Sequence, residues 1–250
     1  FILFIFNYIM FYLIGIGMGD EKDISIRGLE AVKSCSKVFL ECYTSKLVNF
    51  DIKKMEELYG KKVILADRDV VEKKCEKEML EVAKNENVAL LIVGSPLGAT
   101  THQDILQRAD ELKIKTEVID NAGILGAVGV TGLSLYKFGR VITIPRENDN
   151  VKSPYEMLSK NKEMGLHTLI LLDVGSVEGE FELMTAKEGC DYLIKNGFEG
   201  EVVVCGGLGS NDPEIKFGNV NSLDVKKLPQ CLIVPGDLHF MEEDALKSFK

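Results

Sequence analysis

The chain has 250 residues, with 30 basic against 39 acidic side chains and a formal net charge of −9. That length allows a sizeable core in one large domain or two small ones. An acidic balance with no long block of either sign argues against a nucleic-acid binder, which needs a clustered basic face. The six cysteines (Cys35, Cys42, Cys75, Cys190, Cys205 and Cys231) include no CxxC pair, and His102, His167 and His239 do not cluster with them. This argues against a zinc site, so no metal is expected. It favours thiols that act as small hydrophobes in a reducing, cytoplasmic compartment.

The first eighteen residues, FILFIFNYIMFYLIGIGM, are long and apolar enough to raise a membrane-spanning helix on length alone. Phe1 in place of Met, the lack of a basic flank, and Gly15, Gly17 and Gly19 argue against that reading. Residues 1–9 are therefore expected to be an extension, non-native or disordered, with a signal anchor as the competing reading. Residues 10–143 are expected to form an N-terminal α/β domain and residues 144–250 a C-terminal one.

From Met10 onward strands and helices alternate. A strand over Phe11–Ile16 ends in Gly15-Ile16-Gly17-Met18-Gly19-Asp20, and Ser25 caps a helix running to about Cys35. Strands follow at Val38–Cys42 and Val63–Ala66, with helices at Ile52–Tyr59 and Val70–Lys84. Val88–Val93 is a continuous apolar run broken by Gly94-Ser95-Pro96-Leu97-Gly98, the pattern of a strand buried on both faces. Next come a helix at Gln103–Leu112, a strand at Thr116–Ile119 and a glycine-interrupted helix over Ile124–Phe138. After a strand at Val141–Ile144, the polar stretch Pro145–Pro154 marks the expected change of domain. Then a helix at Tyr155–Met164 leads to a strand at Thr168–Leu172. Thr185 and Glu188 form a capping-box pair before a helix to Ile194. Strands at Val202–Cys205, Ile215–Asn219 and Cys231–Val234 precede an amphipathic tail from Met241. This alternation implies mostly parallel, doubly covered sheets.

Ligands in open α/β sheets sit beyond the carboxyl ends of strands, where glycines let backbone approach closely. Gly94–Gly98 is such a loop, and a plain strand-to-helix turn is the alternative. Gly15–Asp20 departs from the dinucleotide fingerprint because Asp20 stands where its third glycine belongs, and the chain has no GxxxxGK[ST] loop. Ser95 is not set in a GxSxG elbow. His102 reads as the start of a helix, His167 as the start of a strand and His239 as part of a terminal turn. Asp173 ends a strand, and Gly206–Ser210 is a second possible ligand loop or a plain turn.

Five blocks carry a family resemblance that spans Met10 to about Phe249. They are MFYLIGIGMGDEKDISIRGLEAVKSCSKVFLECYTS (Met10–Ser45), GSPLGATTH (Gly94–His102), NAGILGAVGVTGLSLYKFG (Asn121–Gly139), GLHTLILLD (Gly165–Asp173) and LIVPGDLH (Leu232–His239). With them the chain resembles the diphthine synthases, class III methyltransferases of the tetrapyrrole-methylase type. The GxGxGD start is shared with the wider fold, whereas the YTS and GATTH blocks are more specific.

The resemblance implies two α/β/α domains, S-adenosylmethionine in the cleft between them, a homodimer, and the modified histidine of translation elongation factor 2 as substrate. It implies no membrane and no direct nucleic-acid partner. The implied cofactor-lining positions are Met18, Ser95, Gly98, Gly123, Ile124, Leu172, Leu208 and Gln230, small or apolar residues suited to backbone recognition of adenine and ribose. Three departures stand out. The family pattern has Asp at the position of Ser95, which here costs about 1–2 kcal/mol of charge-assisted cofactor binding. It has Arg at the position of Gly207. It also has a longer, aromatic-rich segment after Pro145.

The implied reaction is displacement of a sulfonium methyl by an amino nitrogen. Such a donor is already activated, so the protein's task is alignment and exclusion of water. No catalytic residue and no general base are assigned. The rival readings are another class III methyltransferase, acting on a tetrapyrrole or ribosomal RNA, and a cofactor-binding relative without catalysis.

Overall fold

The computed structural model describes residues 9–177 and 180–250, so most of the expected extension at 1–9 lies outside the described residues. Two compact units divide the chain. The first holds the residues up to Tyr43 together with Phe50–Gly123, and the second holds Thr44–Asn49 and Ile124–Lys250.

In the first unit, β1 (Phe11–Gly15), β2 (Lys37–Glu41), β3 (Val63–Ala66), β4 (Val88–Ile92) and β5 (Thr116–Ile119) form a parallel sheet in the order β3-β2-β4-β1-β5. All five residues of β4 are buried, as its unbroken apolar run requires. The connecting helices are α1 (Ile26–Ser34), α2 (Ile52–Tyr59), α3 (Glu81–Ala83) and α4 (Gln103–Glu111). Ser25 caps α1 by accepting from the Gly28 amide at 3.0 Å, and Asp51 caps α2 through the Lys53 and Lys54 amides. The segment expected as one α-helix over Val70–Lys84 winds instead through π-helical turns at Asp69–Lys73 and Glu76–Leu80 before α3. The wider turns bring Val71, Cys75, Met79, Leu80 and Ala83 together in the core around β4.

The second unit departs further from expectation. Its sheet runs β11 (Glu214–Asn219), β10 (Glu201–Gly206), β12 (Gln230–Val234), β7 (Thr168–Leu172), β6 (Ile142–Ile144). β6 and β7 are parallel, and the other pairs are antiparallel. The expectation of mostly parallel sheets therefore fails here. Parallel strands need a crossover, usually helical, and no helix separates β10, β11 and β12. A hairpin of β8 (Val174–Val177) and β9 (Glu180–Leu183), absent from the sequence reading, follows β7 directly.

The helices of this unit are α5 (Ile124–Ala127), α6 (Ser153–Glu163), α7 (Ala186–Lys195) and α8 (Phe240–Lys247). The helix expected over Ile124–Phe138 is broken into α5 and two short 3-10 turns, Val128–Thr131 and Leu135–Lys137. Gly126, Gly129 and Gly132 each cost a helix about 1 kcal/mol relative to Ala. At Gly132 any Cβ would also overlap that of Ala245 in α8. The Thr185–Glu188 capping box is present at α7. The division between units falls at Gly123, ahead of the expected boundary at 143, and β6 belongs wholly to the second sheet.

Among the described residues no helix is long and apolar enough to cross a membrane, and no group of His, Cys, Asp and Glu is arranged to hold a metal ion. All six cysteines are free thiols. Burial pushes the thiols of Cys35, Cys42, Cys75 and Cys190 up to about 11.

Candidate functional site

In the first unit, the loops leaving β1, β4 and β5 meet at the carboxyl end of the parallel sheet. β1 and β4 end in register, with Gly15 opposite Ile92. Just beyond, the Gly94 amide donates to the Gly17 carbonyl at 2.7 Å, so the two loops run on as a single bridged pair. Asn121, after β5, ties the third loop in by donating through Nδ2 to the carbonyls of Gly15 (3.0 Å) and Asp23 (2.9 Å). The Asp23 carboxylate accepts from the amides of Met18 (3.2 Å) and Gly19 (2.6 Å), which fixes the β1 loop from its far side.

The convergence leaves no room for side chains at two positions. A Cβ on Gly15 would lie 2.5 Å from the Gly94 carbonyl oxygen and 2.9 Å from Pro96 Cδ, and one on Gly123 would lie 2.8 Å from the Ser95 nitrogen. Ser95, Gly98 and Gly123 are thus in direct contact, since the Gly98 amide also donates to the Ser95 carbonyl at 3.2 Å. Met18 sits on the neighbouring bridged loop. The Ser95 hydroxyl is half-buried, with no hydrogen-bond partner among the described residues.

The second unit gathers its own set at one end of its sheet. Leu172 closes β7 opposite Ile144, Cys231 pairs with Leu171, and Gln230 pairs with Gly206. Leu172, Gln230 and Gly206 therefore stand along one end of the sheet, with buried Leu208 two residues past Gly206. The Gln230 amide is already committed: Oε1 accepts from the Ala186 amide at 2.6 Å and Nε2 donates to the Val225 carbonyl at 2.7 Å. It caps α7 and holds the β11–β12 connection, which leaves its aliphatic stem and backbone for any ligand. Gly207 has φ +62°, and a Cβ there would lie 2.6 Å from Lys227 Cδ. The Lys227 stem thus lies over Gly207, and its ammonium donates to the Asp212 carbonyl. Ile124, half-buried, opens α5.

The other sequence candidates have structural employment. His167 is fully buried. Its Nδ1 accepts from the Gly236 amide at 2.9 Å, so the proton sits on Nε2, 3.1 Å from Glu242 Oε1. Burial lowers the His167 pKa in spite of Glu242. Burial raises the Glu242 pKa, but the donors His239 N, Lys137 Nζ and Ser134 N outweigh it and hold the carboxyl well below the usual range. His239 belongs to the N-terminal cap of α8. Asp173 accepts from the amides of Arg146 and Val174 and so shapes the exit from β7.

Sequence reasoning overlooked Asn121, whose side chain binds backbone on another loop, and Asp23, whose carboxylate closes back on its own loop. Such clamps have no periodicity to reveal them, although Asn directly after a strand is a turn signal.

Comparison with known proteins gives the family. Residues 10–224 match the family of Tetrapyrrole (Corrin/Porphyrin) Methylases. A diphthine methyl ester synthase of Schizosaccharomyces pombe is 40% identical over 268 residues, covering 96% of this chain and 94% of that protein. A diphthine synthase of Methanocaldococcus jannaschii is 39% identical over 252 residues, covering 95% and 98%. A crystal structure of a diphthine synthase superimposes with TM-score 0.88 at 33% identity, covering 96% of this chain and 95% of that one. The chain belongs to the tetrapyrrole methylase family and, within it, to the diphthine synthases.

Proposed function

We propose that this S-adenosylmethionine-dependent methyltransferase modifies the altered histidine of translation elongation factor 2 during diphthamide synthesis. The observation that carries the reading is near full-length identity of 39–40% to proteins named for that product. The convergence of three hydrogen-bonded loops at the carboxyl end of the first parallel sheet supports it, because ligands of open α/β sheets sit beyond that end.

The Ser95 hydroxyl on those loops, unpartnered among the described residues, suits a polar ligand. Met18, Ser95, Gly98 and Gly123 in the first unit and Ile124, Leu172, Leu208 and Gln230 in the second would hold the methyl donor. The Ser95 hydroxyl is a donor and acceptor with no hydrogen-bond partner among the described residues, while Leu172 and Leu208 offer apolar faces. When bound, S-adenosylmethionine supplies an electrophilic methyl on a sulfonium. The chain's residues then bind, orient and exclude water. His102 and His167 are 2% and 0% exposed, which removes both from contact with a protein substrate, and no general base is assigned.

A homodimer in the cytoplasm completes the proposal. Calorimetric titration with S-adenosylmethionine tests the first step: saturable binding supports the reading, and no binding at millimolar donor favours a relative that has lost catalysis. Transfer of label to ribosomal RNA or a tetrapyrrole instead would overturn the substrate.

A further inference from the structure

His102 is 2% exposed and stands at the start of α4, yet its side chain does not cap that helix. Its ring turns back to the preceding loop, with Nδ1 3.3 Å from the Pro96 carbonyl oxygen. A carbonyl can only accept, so Nδ1 bears the proton and donates. Nε2 is then a lone-pair acceptor, and it is buried without a hydrogen-bond partner among the described residues. The His102 amide donates to Thr100 Oγ1 at 3.0 Å, which anchors the ring's backbone to the same loop.

We propose that His102 is a positioning residue for the methyl-donor loop: its Nδ1–H holds the Pro96 carbonyl and thereby sets the Ser95–Gly98 turn against Gly123. The inference rests on the assignment of that loop to S-adenosylmethionine. Pro96 has no amide of its own, and its Cδ packs within reach of Gly15, so its carbonyl is the point by which the turn can be gripped from α4. A buried acceptor left unpaired is costly. An apolar side chain would serve packing alone better, which singles out the Nδ1–H as the useful group. Burial lowers the basicity of the ring, although Glu41, the Pro96 carbonyl and Glu72 all favour the cation; this keeps Nε2 unprotonated.

The test compares His102→Ala, His102→Asn and His102→Gln with the unaltered chain by calorimetry with S-adenosylmethionine and by amide exchange over residues 94–98. Asn presents a donor where Nδ1 stands; Gln presents one where Nε2 stands. The expected result is at least about tenfold weaker donor binding and faster loop exchange for Ala and Gln, with Asn within about threefold of the original. Equal binding by Ala and the original chain, or rescue by Gln rather than Asn, overturns the proposal. So does nitrogen NMR that finds the proton on Nε2. If the unaltered chain binds no donor, the cofactor assignment fails, while loop exchange in the Ala variant still decides whether His102 grips the turn.

Discussion

Gly123 lies against Ser95 so closely that a Cβ would stand 2.8 Å from the Ser95 nitrogen and 3.1 Å from its Cβ. The contact joins the loop after β5 to the loop after β4 and sets how far the latter can move. Gly123→Ala is expected to push the Ser95–Gly98 turn away and to cost about 1–3 kcal/mol of stability, as overpacking does. Chemical denaturation measures the loss. Calorimetry with S-adenosylmethionine should show an accompanying drop in affinity, and unchanged values in both would remove this contact from the account.

The resemblance to the diphthine synthases implies a carboxylate at the position of Ser95. Ser95→Asp is expected to tighten donor binding by about 1–2 kcal/mol through charge-assisted contact with a cationic ligand. The gain should shrink as salt is raised, since part of it is Coulombic. Titrations at low and high ionic strength check both statements; no change in affinity would separate this position from the donor.

The buried Glu242–His167 pair, with the partly exposed Lys137 on Glu242, joins the turn after Thr131, the start of β7 and the start of α8. Glu242→Gln weakens the hydrogen bonds that the buried carboxylate accepts, while the Lys137 ammonium still reaches solvent, and should destabilise the chain by about 1–3 kcal/mol at neutral pH. Urea denaturation is the measurement.

The pH dependence follows from His102, His167 and Glu242, all with lowered folded pKa values. A histidine held below its free value of about 6.5 stabilises the fold above that pH. Its contribution is lost as acidification protonates the unfolded chain preferentially. Stability should therefore decline from about pH 6.5 downward, and again below about pH 4.3 as Glu242 is outcompeted by its unfolded form. Denaturation midpoints at pH 7.5, 6 and 5 read this directly, and His167→Gln should flatten the upper part of the decline.

At α7, Thr185 accepts from the Glu188 amide while Glu188 accepts from the Thr185 amide at 2.7 Å. Thr185→Ala should cost about 1 kcal/mol, or about 2–4 °C in Tm for a chain of this size.

Much of the framework was legible in the sequence wherever one local rule was enough. The Val88–Val93 run is β4, Val63–Ala66 and Thr116–Ile119 are strands at those bounds, and Ser25 and Thr185 cap the helices they precede. What failed depended on partners distant in sequence. Whether β10, β11 and β12 lie parallel is set by the length and content of their connections, and the missing helices among them were the available signal. The glycines at 126, 129 and 132 weaken a helix on sequence grounds alone, but the overlap with Ala245 that stops it belongs to α8. In the site, the glycine loops marked themselves. The grip of Asn121 on Gly15, 106 residues away, did not, and that of His102 on Pro96 did not because a single side chain turning back on a carbonyl leaves no periodic signal.

The most direct test is methyl transfer from labelled S-adenosylmethionine to elongation factor 2 carrying the unmethylated histidine intermediate, with ribosomal RNA and a porphyrinoid as competing acceptors. The account predicts label on that one histidine of the protein and none on the competitors. Label on RNA or porphyrinoid, or donor bound without transfer to any acceptor, would contradict it.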